Sequence, residues 1–154
     1  MVIHTHSPEG TRRLGAALAA QLCPGDVLVM RGDMGAGKSE FTRGVARGLG
    51  VEGYITSPTF TILQVHEGGR LPLYHFDWYR LNGAEELYEL SMDEYLYGDG
   101  VAVIEWPGRA PEAVPETCLE IQITPLGESD REFVLLPTGG FHALNEALLK
   151  EVSL

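Results

Sequence analysis

Residues 26–48 read Asp-Val-Leu-Val-Met-Arg-Gly-Asp-Met-Gly-Ala-Gly-Lys-Ser-Glu-Phe-Thr-Arg-Gly-Val-Ala-Arg-Gly, and Gly32–Ser39 within them, GDMGAGKS, fills every fixed position of the pattern G-x-x-x-x-G-K-[ST]. The physics of that pattern depends on its order. An apolar run, Val27 to Met30, reads as a buried strand that delivers the chain to a turn which side chains would obstruct. Gly32, Gly35 and Gly37 allow backbone N–H groups to converge on an anion. A helix beginning near Gly37 adds its unpaired N–H groups and the positive end of its dipole. Lys38 then reaches the outer phosphates of a nucleotide, and the Ser39 hydroxyl is placed for Mg²⁺. Lys38 and Lys150 are the only lysines of the chain, so the lysine is not a by-product of basic composition.

Outward from this stretch, Thr11 to Leu22 carries apolar residues at 14, 17, 18 and 22, an amphipathic helical stripe ended by Pro24-Gly25. Downstream of the loop a helix runs to about Leu49 and closes at Gly50. Residues 53–59 form a polar loop with hydroxyls around Pro58. Strands follow at Phe60–Val65 and Leu71–Trp78, with a hairpin turn at Glu67–Arg70 between them. Gly83–Leu96 reads as helical, rich in Glu and Leu, with Ser91 a turn-like residue within it. Val101–Ile104 is wholly apolar, as in a strand buried on both faces. The proline-spaced segment 107–115 is a loop, Cys118–Thr124 and Glu132–Leu136 are strands, and Phe141–Val152 is a closing helix. The expectation is an α/β fold over 1–154 as one P-loop NTPase domain. Central parallel strands would be flanked by antiparallel ones, with helices on the faces and a ligand at the carboxyl ends of the strands.

Bulk properties narrow the function. The 154 residues, 44% hydrophobic, suit one domain with a real core. No apolar run is long enough to span a membrane, and no basic-then-apolar leader opens the chain, so a cytoplasmic protein is expected. Cys23 and Cys118, with no CxxC, read as reduced, packed thiols. The net charge of −11 opposes direct binding of a polyanion, so any RNA connection is expected to run through a partner. His4 and His6 are read as part of a frayed terminus rather than a metal site.

A phosphate loop needs Mg²⁺, and Mg²⁺ needs a carboxylate at the end of a neighbouring strand. Glu105 ends Val101–Ile104 and Asp77 ends Leu73–Phe76; the residues alone do not rank them as metal ligand or water-orienting base. Thr59 could sense a γ-phosphate from the 53–59 loop or be a turn hydroxyl. Trp106 could stack on a ligand or pack in the core. Thr11 is read as the cap of its own helix unless that helix starts beside the nucleotide. No Asn-Lys-x-Asp string reads guanine, which favours adenine. The rival reading is a small-molecule kinase with the same loop, against which region 82–130 offers only Arg109 where a kinase lid needs arginines.

GDMGAGKSEFTRG, SPTF at 57–60, YHFDWYRL at 74–81, EELYEL at 85–90 and VIEWP at 103–107 together resemble the TsaE (YjeE) ATPase family, in order and spacing, from about Thr11 to Ile123. The resemblance implies a weak Mg²⁺-dependent ATPase acting with the TsaB and TsaD proteins, which install threonylcarbamoyladenosine beside the anticodon of tRNAs reading codons that begin with A. Its part would be ATP-dependent resetting of that complex, with tRNA met only indirectly and no membrane involved. It also implies site roles. Gly35, Ala36, Gly37, Lys38, Ser39 and Glu40 would hold the phosphates, and Ser39 and Glu105 the metal. Asp77 would be the essential acid, Thr59 a switch-like threonine, Trp106 the acid's neighbour, and Thr11 a residue near the adenine. Two departures stand out. Ser39-Glu40 replaces the usual Thr-Thr, and His66 stands where tyrosine is common.

Overall fold

The computed structural model describes residues 1–52 and 61–153. Its frame is a seven-stranded sheet of order β1-β7-β6-β2-β5-β4-β3. The strands are β1 Val2–Thr5, β2 Val27–Arg31, β3 Leu63–His66, β4 Leu73–Asp77, β5 Val101–Glu105, β6 Cys118–Pro125 and β7 Arg131–Thr138. Pairings β6–β2, β2–β5 and β5–β4 are parallel, while β1–β7, β7–β6 and β3–β4 are antiparallel. The expected parallel centre with antiparallel flanks is therefore what the chain forms.

Alternation along the central strands builds a core on each face. Leu28, Met30, Leu73, Val101 and Val103 point to one side, where they meet Leu14 and Leu18 of α1 (Pro8–Ala19), Phe41, Val45 and Leu49 of α2 (Lys38–Leu49), and Leu149 of α4 (Glu146–Ser153). Val27, Val29, Phe76, Ala102 and Ile104 point to the other, against Leu87 of α3 (Ala84–Glu89) and Leu96 of a 3₁₀ turn, Met92–Tyr97. Helices α1 and α2 touch backbone to backbone. A Cβ on Gly44 would lie 2.2 Å from the Arg12 carbonyl oxygen, and one on Gly48 would lie 2.5 Å from that of Ala16. Gly15 answers from α1, its missing Cβ 2.5 Å from the Phe41 oxygen. Glycine at 44 and 48 is thus a packing requirement that fixes the axis of α2.

Several expectations need correction. The N-terminal residues are not frayed: β1 pairs Val2–Thr5 with Val134–Arg131, His4 Nε2 meets Glu132 at 3.1 Å and His6 Nδ1 meets Asp130 at 2.9 Å. Four residues are too few to show a period, so pairing with β7 decides the strand. The first helix starts at Pro8, three residues earlier than the stripe suggests. Its cap is Ser7, whose hydroxyl accepts the Gly10 N–H at 2.9 Å, and Pro8 sits in the first turn, where no N–H is needed. Thr11 is therefore not the cap. The helix expected over Gly83–Leu96 is broken at Ser91, whose φ of 55° ends α3 and restarts the chain as the 3₁₀ turn. The last helix begins at Glu146, not Phe141, because Phe141 packs into the core while His142 takes other partners. Segment 107–115 holds two short 3₁₀ turns, Pro107–Arg109 and Pro111–Ala113. Cys118 is buried but Cys23 is exposed, and both are free thiols. Among the described residues, no helix is long and apolar enough to cross a membrane. Phe60, at the start of the strand expected over 60–65, lies outside the described residues.

Candidate functional site

The carboxyl ends of β2, β4 and β5 converge. β2 leads into the glycine-rich turn, and register places Asp77, the last residue of β4, directly beside Glu105, the last of β5. Both acids are buried, as is Lys38 at the start of α2. Gly37 ends the turn with φ 116°, a left-handed conformation that side chains disfavour, and Gly35 has φ 80°. The Phe41 N–H donates to Gly37 O at 3.0 Å as the first turn of α2 closes. The N–H groups of Lys38, Ser39 and Glu40 thus belong to the helix start, where no intrahelical acceptor exists. They face a cleft of about 440 Å³ bounded by Gly35, Gly37, Lys38, Asp77, Glu105 and Trp106.

Electrostatics sets the behaviour of Lys38. Burial lowers the pKa of its ammonium, and the nearby carboxylates of Glu105, Asp77 and Asp33 work against that fall. Its Nζ lies 4.0 Å from the centre of the Trp106 ring, a cation–π contact worth roughly 0.5–2 kcal/mol. Trp106 has φ 58° and ψ 53°, a left-handed backbone costing a non-glycine residue about 1–2 kcal/mol. That conformation turns the chain at the end of β5, and Tyr79 braces the indole with ring centres 5.1 Å apart. Trp106 is only partly buried and lines the cleft, so it is not a plain core tryptophan.

Glu105 and Asp77 are held differently. One Glu105 oxygen meets His75 Nε2 at 2.7 Å, deep in the protein. Asp77 Oδ1 accepts the Tyr79 N–H at 2.9 Å. His75 and Asp77 alternate along β4 onto the face that also carries Glu105, so His75 could have been read from the string HFD. Arg131, on β7, carried no such signal. Its Nε donates to Ala36 O at 2.8 Å, while Nη1 donates to Asp130 O at 2.9 Å and Gly127 O at 3.0 Å. It clamps the glycine-rich turn from the far strand and lines the cleft.

The remaining candidates fall at different places. Ser39 is exposed at the cleft. Ala36 is fully buried and offers the cleft no side chain. Glu40 lines the cleft, but its carboxylate is bound to Arg12 of α1 and, at 2.8 Å, to Arg43. Thr11 lies in a small hollow with Gly37, Glu40 and Arg131, its Oγ1 2.8 Å from that of Thr5. That hollow adjoins the turn, which keeps Thr11 beside the site. Thr59 lies outside the described residues. Ser39 Oγ and the carboxylates of Glu105 and Asp77 are oxygen donors with no thiol or free imidazole among them, a set that fits a hard cation such as Mg²⁺.

Residues 5–133 match the family model described as threonylcarbamoyl adenosine biosynthesis protein TsaE. The chain is 42% identical to the tRNA threonylcarbamoyladenosine biosynthesis protein TsaE of Bacillus subtilis, over 97% of this chain and 91% of that protein. It is 41% identical to the protein of the same name from Treponema pallidum, over 85% of this chain and 96% of that protein. Among solved structures it is similar to Bacillus subtilis YdiB, with a TM-score of 0.80 and 38% identity, covering 99% of this chain and 93% of that one.

Proposed function

Since the chain belongs to the TsaE family of tRNA threonylcarbamoyladenosine biosynthesis, we propose that it serves that pathway as a Mg²⁺-dependent P-loop ATPase. The observation that carries the proposal is the buried Lys38 ammonium, set among Trp106, Asp77 and Glu105 at the mouth of a turn of glycines and helix-start N–H groups. A triphosphate supplies the anion that such a group needs. The amides of 35–40 and Lys38 bind its β- and γ-phosphates, and their fixed dipoles stabilise charge as the terminal phosphoryl group leaves. Glu40 contributes its N–H rather than its carboxylate, which Arg12 and Arg43 hold away. Ser39 and Glu105 would hold Mg²⁺, which when bound neutralises phosphate charge. Glu105 is steadied for this by His75. Asp77, at the same level of the sheet, orients the attacking water and accepts its proton. Trp106 shields Lys38 from bulk water and so strengthens its field. Thr11 and Arg131 border the end of the turn nearest the base, and Thr59 responds to the γ-phosphate.

Within the pathway, nucleotide turnover resets a complex with the TsaB and TsaD proteins. This chain's net charge of −11 suits contact with protein rather than tRNA. The test is threonylcarbamoyl transfer to tRNA reconstituted with TsaB and TsaD over many turnovers. Turnover is expected to require this chain and ATP and to stop in Asp77→Ala. Undiminished turnover with Asp77→Ala, or in the absence of ATP, would overturn the reading.

A further inference from the structure

A second constellation lies at the opposite end of β2, away from the cleft. The turn between α1 and β2 carries Cys23 and Asp26, and the segment leading into α4 lays His142 against them. Cys23 Sγ, an Asp26 carboxylate oxygen and a ring nitrogen of His142 all lie within 4.8 Å of one another.

The hydrogen bonds define what this trio lacks. His142 Nδ1 lies 3.2 Å from Ala143 O, and because a carbonyl only accepts, Nδ1 carries the hydrogen. In a neutral ring Nε2 then presents a lone pair, yet it faces Asp26 Oδ2, another acceptor, at 2.7 Å. At that separation a proton on Nε2 joins the pair, since a cation bound by both atoms would hold them about 3.3 Å apart. That proton makes no use of the neighbouring thiol. A divalent cation uses all three groups. Fixing one ring N–H on a carbonyl so that the other nitrogen is free to ligate is the arrangement found around metal-bound histidines. The Cys23 N–H donates to the same Asp26 Oδ2 at 2.7 Å, and the Asp26 N–H donates to Cys23 O at 3.1 Å, so the turn presents its two ligands already folded. His142 stacks on Phe141, ring centres 4.4 Å apart, and Phe141 packs against the main core, which limits the movement of the imidazole.

We propose that Cys23, Asp26 and His142 form a three-ligand, open site for a borderline-soft divalent cation of the Zn²⁺ class, which when filled ties the segment that carries α4 to the turn between α1 and β2. One thiolate, one carboxylate and one imidazole are Zn²⁺ ligands at about 2.0–2.3 Å, which implies mutual spacings of about 3.3–3.8 Å in a tetrahedron. Binding would open the 2.7 Å His142–Asp26 contact to about 3.3 Å and draw Cys23 Sγ in by side-chain rotation on the preset turn. The exposure of Cys23 leaves the fourth position to water. A soft thiolate also separates this site from the all-oxygen set at the cleft, which favours Mg²⁺. The proposal is independent of the ATPase reading.

Co²⁺, a spectroscopic stand-in for Zn²⁺, tests it on the full-length, reduced, chelator-treated protein without nucleotide. One equivalent is expected to produce a sulfur-to-cobalt charge-transfer band together with the visible bands of a tetrahedral ion. Zn²⁺ should displace both, and both should be lost in Cys23→Ser and in His142→Ala, whose folding is checked by circular dichroism. Zn²⁺ should raise the unfolding midpoint of the wild type by several degrees and leave that of Cys23→Ser in place. Absence of the charge-transfer band in the wild type would overturn the proposal in favour of a proton-bridged His142–Asp26 pair. Its persistence in Cys23→Ser would overturn it by placing the metal at Cys118.

Discussion

Gly44→Ala tests whether close approach of α1 and α2 fixes the position of the site. In an exposed helix interior this change stabilises, since alanine is favoured over glycine by about 1 kcal/mol. Here the new Cβ would stand 2.2 Å from Arg12 O and 2.8 Å from Arg12 Cα, both main-chain atoms that cannot rotate away. Relief requires the helices to part by roughly 1 Å, and overpacking of this kind costs about 1–3 kcal/mol even after the structure adjusts. The clash outweighs the propensity gain. The expected outcome is a loss of about 1–3 kcal/mol, a fall in midpoint of about 3–10 °C for a chain of this size. Because the first turn of α2 carries Lys38 and the N–H groups facing the cleft, ATP affinity should fall as well. Gly83→Ala is the control: nothing lies within 4 Å of its Cβ and its φ of 167° is ordinary extended backbone, so no clash arises and only the weaker capping of α3 by alanine remains, a cost of less than about 1 kcal/mol. Thermal and urea unfolding of both variants decide the matter. A Gly44→Ala protein as stable as the wild type would refute the account of the helix pair.

Two further outcomes follow from the structure. Arg131→Ala removes the donor that clamps Ala36 O from β7; at a partly exposed site this should weaken ATP binding about tenfold, on the order of 1.4 kcal/mol, with a small change in midpoint, and unchanged affinity by calorimetry would remove Arg131 from the site. The Tyr74 phenol is pushed from 10.0 up to about 12 by burial, its hydrogen bond to Asp99 and the surrounding negative charge. A raised pKa means that the folded state holds the proton longer, so this contribution to stability is full below the unfolded value and is lost as pH climbs from about 10 toward 12. Difference absorbance between wild type and Tyr74→Phe should show this phenol ionising about two units above an ordinary tyrosine, and ionisation near pH 10 in the folded protein would contradict it.

Much of the architecture was legible because it is written in local patterns. The run Val27–Met30, the glycines after it and the apolar Val101–Ile104 each specify their element without outside help, and Asp77 and Glu105 could be named from the strands they end. The exact start of α1 was not read, because the apolar stripe begins at Leu14 while the cap lies at Ser7. Two things were illegible for a different reason. β1 is four residues long and exists through pairing with β7, and Arg131 reaches Ala36 across the fold; sequence periodicity records neither. Ser91 broke an otherwise helical pattern by adopting φ 55°, a conformation uncommon for serine. Glu40 shows the limit at the site itself, since the motif fixes its place in the first turn of α2 but not that its carboxylate is committed to Arg12 and Arg43.

Whether a nucleotide occupies the cleft where α2 begins decides the proposed function. Isothermal titration of the purified chain with ATP and Mg²⁺ measures this directly, with Lys38→Ala alongside. The wild type should bind one nucleotide, and Lys38→Ala, having lost charged hydrogen bonds worth about 1.5–3 kcal/mol, should bind it at least tenfold more weakly. No heat of binding for ATP or ADP in the wild type, or equal affinity in the two proteins, would contradict it.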